Sequence, residues 1–180
     1  ISDLIGNRYS VALADNNLGG IALNQGRLDD ALEFYRRALT SLEQMGESLY
    51  VQGALHVNLG HTYIRRGEVE SAYPHLRTAE TYFEQAHARD WLPEMYRHFA
   101  EAALYLRDLD EAQSQGQRAL ELARELSMRN EEGNNLRLLA RVAIARGELE
   151  RAGRLVNESI AMVDEVVSQE GLLDTALKAV

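Results

Sequence analysis

Residues 16–39 read NNLGGIALNQGRLDDALEFYRRAL, and residues 57–80 read VNLGHTYIRRGEVESAYPHLRTAE. The triplet Asn17-Leu18-Gly19 returns forty-one residues later as Asn58-Leu59-Gly60. Each triplet is followed by a second glycine, Gly26 or Gly67, and then by an alanine, Ala31 or Ala72. From Ala31 the pattern runs on to Ala72, Ala112 and Ala152, at spacings of 41, 40 and 40. Two helical turns beyond these stand Ala38, Ala79, Ala119 and Ser159, on the same helical face. Twelve residues before them stand Gly19, Gly60, Ala100 and Ala140. All of these positions hold Gly, Ala or Ser. Leu18, Leu59, Phe99 and Leu139 immediately precede the last set.

A large apolar side chain beside a very small one lets a second helix cross the first closely. The gaps between the two halves carry turn chemistry: QGRLDD, RGEVES and ARGELE. Glycine ends a helix in the left-handed conformation, and nearby acids favour the next N-terminus. Each unit therefore reads as two antiparallel helices. Neither buries its apolar stripe alone, and stacking of successive pairs makes one continuous core. First helices are expected near 8–25, 48–66, 90–106 and 130–146, and second helices near 28–45, 69–87, 109–127 and 149–167. Leu18 and Ala22 are expected in the core.

These residues resemble the tetratricopeptide repeat. The likeness rests on Asn17-Leu18-Gly19 with Gly26, Ala31, Tyr35 and Ala38, and on Asn58-Leu59-Gly60 with Tyr63, Gly67, Ala72, Leu76 and Ala79. The period, near 40 rather than the usual 34 or so, lengthens each helix by about 4–5 Å. Longer repeats of this kind are similar to those of kinesin light chains and of bacterial regulatory arrays. The resemblance implies an all-α, right-handed superhelical solenoid of antiparallel helix pairs. The expectation is a single domain over 1–180 with repeats near 8–46, 48–87, 90–127 and 130–168. Segments 1–6 and 170–180 are expected to be partial repeats or caps. Ile1–Gly6 reads as the tail of a second helix. GLLDTALKAV reads as the start of another first helix, which either caps the array or leads into more of it.

Composition agrees with a helical domain. Apolar residues are 46%, there are only 2 prolines, and no cysteine excludes disulfides, thiolate metal sites and cysteine nucleophiles. A net charge of −9 disfavours nucleic acid as a partner. No apolar run approaches the roughly 18 residues of a membrane span, so no membrane partner is expected. The N-terminus does not read as a signal peptide, and the expected location is cytoplasmic.

Catalytic patterns are missing. The five histidines, His56, His61, His75, His87 and His98, lack metal-binding spacing, and no phosphate loop or nucleophile elbow occurs. The acid pairs Asp29-Asp30 and Glu131-Glu132 fall at helix starts, where they favour the dipole. No enzyme activity, metal or cofactor is expected. Gly116 stands where other repeats have Tyr35, Leu76 and Val156. Its space is filled by a neighbour, Tyr96 or Trp91, or left as a ligand pocket. Pro74 is expected in the opening of its helix without a kink, and Asp108 is the expected cap after Arg107, which replaces the turn glycine.

In the superhelix that the resemblance implies, first helices line the concave side. Its candidate peptide-binding residues are Asn17, Asn24, Asn58, His61, Arg65, Arg97, Glu101, Tyr105, Arg137 and Arg141. Leu13, Val57, Glu94, His98 and Asn134 share that face. The family's peptide-holding asparagines match Asn17 and Asn58 alone. Its clamp for chaperone tails needs a lysine near Asn16 and an asparagine four residues later, where this chain has Gly20, so such tails are disfavoured. Arginine binds carboxylates in bidentate fashion, which suits an acidic peptide. The competing reading is that these arginines are only solvated. The expected function is a protein- or peptide-binding scaffold within a larger bacterial regulatory protein. A sensory domain for a small peptide signal, and a structural element that self-associates through its ends, are the alternatives.

Overall fold

A computed structural model describes residues 2–45 and 48–162, with side chains from Arg8 onward. Every helix arises where the forty-residue pattern places apolar and small residues at helical spacing. The helices are α1 (Ser2–Asn24), α2 (Leu28–Met45), α3 (Leu49–Arg66), α4 (Val69–Ala86), α5 (Leu92–Tyr105), α6 (Leu109–Glu125) and α7 (Arg129–Arg146). An eighth, α8, covers 149–162. A 3-10 turn, Arg89–Trp91, leads into α5. Among the described residues there is no strand. Consecutive helices pack antiparallel, as α1 on α2, α2 on α3, α3 on α4 and α6 on α7. The chain forms two compact units, 1–98 and 99–180, and the division passes through α5. The expectations for 46–47 and 163–180, including the helix near 171–180, lie outside the described residues.

The small residues are buried, and large ones sit on them. Ala31, Ala38, Ala72, Ala79, Ala100, Ala112 and Ala119 are fully buried, and Ala140, Ala152 and Ser159 nearly so. In the first unit the Tyr35 ring covers Gly19, and Leu76 covers Gly60. Phe83 covers Gly53 in the same way. A Cβ at any of these glycines would stand within 3 Å of its neighbour, so the close crossing of each pair depends on its absence. Core close packing has no slack to absorb such an atom. Apolar burial of this kind is the main driving force, at about 25 cal/mol per Å².

Turns follow a parallel logic. Gly26, Gly67 and Gly147 end α1, α3 and α7 in the left-handed region, at φ 75°, 84° and 81°. Arg107 occupies the equivalent position after α5 at φ 66°, where its Cβ is disfavoured. Asp108 then caps α6, accepting a hydrogen bond from the Glu111 N–H at 3.1 Å. Adjacent pairs are also clasped at the surface. Arg66 at the end of α3 reaches Asp29 at the start of α2, 2.7 Å away. Arg146 at the end of α7 reaches Asp110 at the start of α6.

Four expectations change. Leu18 is 44% exposed, whereas Leu59 and Leu139 are buried. The reason is that α3 is packed by both α2 and α4, while α1 rests on α2 and only touches α3. The space at Gly116 is filled by Leu139, whose Cδ2 would lie 2.8 Å from an added Cβ, rather than by Tyr96 or Trp91. No ligand pocket remains there, because the large partner comes from α7. Pro74 lies inside α4, more than a turn from its start at Val69. Ser2–Gly6 belong to α1, which runs unbroken through Gly6 instead of ending there. One helical glycine costs only about 1 kcal/mol relative to alanine, too little to break a helix of that length.

Candidate functional site

In the first unit the expected binding residues come from α1, α3 and α5. Asn17, Asn24 and Arg65 are exposed; Asn58, His61 and Arg97 are half-buried. Helical spacing sets this grading, because each lies beside the buried stripe rather than opposite it. Val57 and His98 share the face on a helical wheel but are fully buried. Asn58 is already engaged: its Nδ2 donates to Asn16 Oδ1 at 3.0 Å, tying α3 to α1.

The start of α5 adds a polar cluster. Glu94 Oε1 lies 3.6 Å from both Arg97 Nη2 and His98 Nε2. The His98 ring stacks on His61 with centroids 4.2 Å apart. Burial alone would push the Glu94 carboxyl up. The neighbouring His98 imidazole first, then Arg97 and His61, outweigh it and hold the carboxyl below the ordinary range. The Tyr35 hydroxyl is pushed up to about 12, by burial first and then by Glu94.

In the second unit the structure brings together Arg141 and Glu101, whose Nη1 and Oε1 are 3.6 Å apart. Tyr105 is exposed. Arg137 donates to Asn134, which in turn donates to Glu131 at 2.9 Å. Arg137 and Asn134 line a cavity of about 280 Å³ with Arg129, Asn130, Gly133 and Met162. Gly133 leaves this notch open, since a Cβ there would meet only Met162 and Ser159, each at 3.9 Å. Two of the four expected arginines, Arg97 and Arg141, thus face the glutamates named with them.

The acid pairs at helix starts have partners as well as dipoles. Glu132 is buried and accepts from Arg124 Nε at 2.8 Å. Hydrogen bonding to Glu132 raises the Arg124 guanidinium further, against its partial burial and with help from Glu158.

Sequence reasoning missed a larger cleft of about 670 Å³ between α1, α2 and the end of α3. Asp15, Arg36, Arg37 and Arg66 line it. Asp15 is buried and accepts from Arg37 Nη2 at 2.8 Å. The available signal was an acid inside the apolar stretch of α1, opposite a double arginine in α2. It also missed a contact between His56 and His75, nineteen residues apart, whose Nδ1 atoms are 2.9 Å from one another.

Comparison with known proteins agrees with this architecture. The tetratricopeptide-repeat family profile matches residues 16–48. BtubC (BKLC) from P. vanneervenii superposes with a TM-score of 0.71 at 20% identity, covering 86% of this chain and 64% of that one. The kinesin-light-chain-type TPR-like repeats of Podosopora anserina superpose at 0.60 with 16% identity, over 86% of this chain and 76% of theirs. A singly substituted form of those repeats gives 0.63 at 15% identity, over 87% and 76%. In sequence, the chain is 28% identical to the Protein STIP1 homolog of Dictyostelium discoideum over 61 residues, which is 34% of this chain and 11% of that protein. Residues 16–48 thus resemble a tetratricopeptide repeat, and the fold is similar to that of kinesin-light-chain-type TPR-like repeats. The fold is all-α, built of antiparallel helix pairs like those of TPR-like repeats. Among the described residues no helix is long and apolar enough to cross a membrane.

Proposed function

We propose that the domain holds an extended, acidic segment of another protein along the exposed faces of its first helices, as part of a larger bacterial regulatory protein in the cytoplasm. In the first unit the contact residues are Asn17, Asn24, Asn58, His61, Arg65 and Arg97. In the second they are Glu101, Tyr105, Arg137 and Arg141. One observation carries the reading: the open notch on α7, where Arg129, Asn130, Asn134 and Arg137 converge over a glycine floor. Guanidinium and amide groups around a concave space suit a carboxylate and an extended main chain.

The ion pairs refine which arginines matter. Arg97 and Arg141 sit beside Glu94 and Glu101, so the preference for acid rests more on Arg65 and Arg137. Titration calorimetry of the domain with acidic peptides at low salt tests this. Arg65→Ala with Arg137→Ala weakens binding without changing helicity, and added salt weakens the unmodified protein in the same direction. Equal affinity of both proteins would remove the reading.

Self-association is favoured as a second reading by one feature. Val11, Leu18 and Ile21 form an exposed apolar stripe on α1. A mass that rises with concentration in light scattering, and falls for Leu18→Glu, would support it.

A further inference from the structure

We propose that His56 and His75 form an acid-sensitive latch that holds α3 against α4. This goes beyond the binding reading and does not depend on it. The two Nδ1 atoms stand 2.9 Å apart, across the middle of the pair of helices. A hydrogen bond at that distance needs one donor and one acceptor. At neutral pH one ring must therefore carry its proton on Nδ1 and the other on Nε2.

The latch is built into a stack. The edge of His56 meets Tyr82 of α4, with centroids 5.6 Å apart. His75 lies parallel to Tyr63 of α3, 15° between planes and 5.4 Å between centroids. Arg36 of α2 sits over the Tyr63 ring and donates to its hydroxyl. The titratable and charged groups set against the pair among the described residues are thus Arg36 from α2, Tyr63 from α3 and Tyr82 from α4. All are neutral or positive, so they supply no counter-charge to an imidazolium. Burial lowers the affinity of both rings for a proton, with His75 acting further on His56 and Arg36 on His75.

The proton count sets the sequence of events. One added proton goes to the free Nε2 of the donor ring, which keeps the hydrogen bond but places a charge near Arg36. A second goes to the acceptor Nδ1, and two N–H groups then face each other at hydrogen-bond distance. The rings must part, and α3, which carries Asn58 and His61, loosens from α4.

The test uses the full chain. Long-range nitrogen–proton spectra of the imidazoles at neutral pH should show one Nδ1–H and one Nε2–H ring for His56 and His75. Both should hold off protonation to below the ordinary histidine range. Trp91 stacks on Phe83 of α4, at 5.9 Å and 12°, so its fluorescence follows this pair of helices during urea unfolding. The urea midpoint should fall as pH drops from 7 to 5, and His56→Leu with His75→Phe should at least halve that fall. Identical tautomers, ordinary titration of both rings, or an undiminished fall in the double variant would each overturn the latch. If the double variant does not fold, the spectra of the unmodified chain decide alone.

Discussion

The ring of Tyr35 lies on Gly19: a Cβ built there would stand 2.5 Å from Tyr35 Cε1. Tyr35 is only 1% exposed, so it cannot swing aside. Gly19→Ala therefore overpacks the crossing of α1 and α2, at a cost of about 1–3 kcal/mol, which a helix-propensity gain of about 1 kcal/mol offsets only in part. The neighbouring Gly20 has room, since its Cβ would lie 3.7 Å from the Tyr35 hydroxyl. Gly20→Ala should leave stability unchanged or raise it by about 0.4–1 kcal/mol. Urea midpoints of the two variants should move in opposite directions. A stabilised Gly19→Ala would contradict the packing.

Gly116 and Leu139 should behave as one unit. Leu139→Ala empties the space over Gly116 and should cost about 2–5 kcal/mol. Gly116→Ala alone pushes a Cβ into Leu139, which is buried. Together the two changes should cost less than the sum of their separate effects, by about 0.5–3 kcal/mol. A double-mutant cycle by chemical denaturation measures this coupling, and strict additivity would mean that another side chain fills the gap.

Arg107 is strained where the related turns use glycine. Its φ of 66° falls in the region that costs an ordinary L-residue about 1–2 kcal/mol. Arg107→Gly should raise the stability of the second unit by about 0.5–1 kcal/mol after the entropy cost of glycine. The reverse change, Gly147→Ala at φ 81°, should lower it by a similar amount. Thermal midpoints check both.

Stability should decline as pH falls below neutral, and in two stages. His56 has its pKa lowered to about 4 from the usual 6.5, by burial first and then by His75. The unfolded chain therefore binds more protons between these values. The stabilisation from a neutral, buried His56 is present above pH 6.5 and is lost as pH falls to about 4. Its full size is on the order of 3 kcal/mol. The lowered carboxyl of Glu94 adds a loss of the same sign in the ordinary carboxylate range and below. Urea midpoints between pH 8 and 4 should show the first fall before the second, and a flat profile from pH 7 to 5 would contradict it.

Much of the architecture was legible as periodicity. Small residues at forty-residue spacing located the crossings, and the turn glycines and Asp108 located the ends of helices. Leu18 and Gly116 resisted the same reading for a common reason. Whether a large side chain is covered, and which neighbour fills a gap, depends on adjacent pairs and not on the repeat that contains the residue. The binding face was legible only as a set of helical positions. That Asn58 holds Asn16, that Arg97 faces Glu94, and that Asp15 lies under Arg37 are contacts that a reading of helical positions does not contain.

By itself the sequence determined that helices form in antiparallel pairs and where each pair crosses, because helical period and side-chain volume are local properties of the chain. Only the tertiary structure decided which polar groups are already spoken for and which remain open, and that two histidines nineteen residues apart share a hydrogen bond. Those outcomes depend on distances across helix interfaces, where a shift of about one ångström separates a bonded pair from two groups left to solvent.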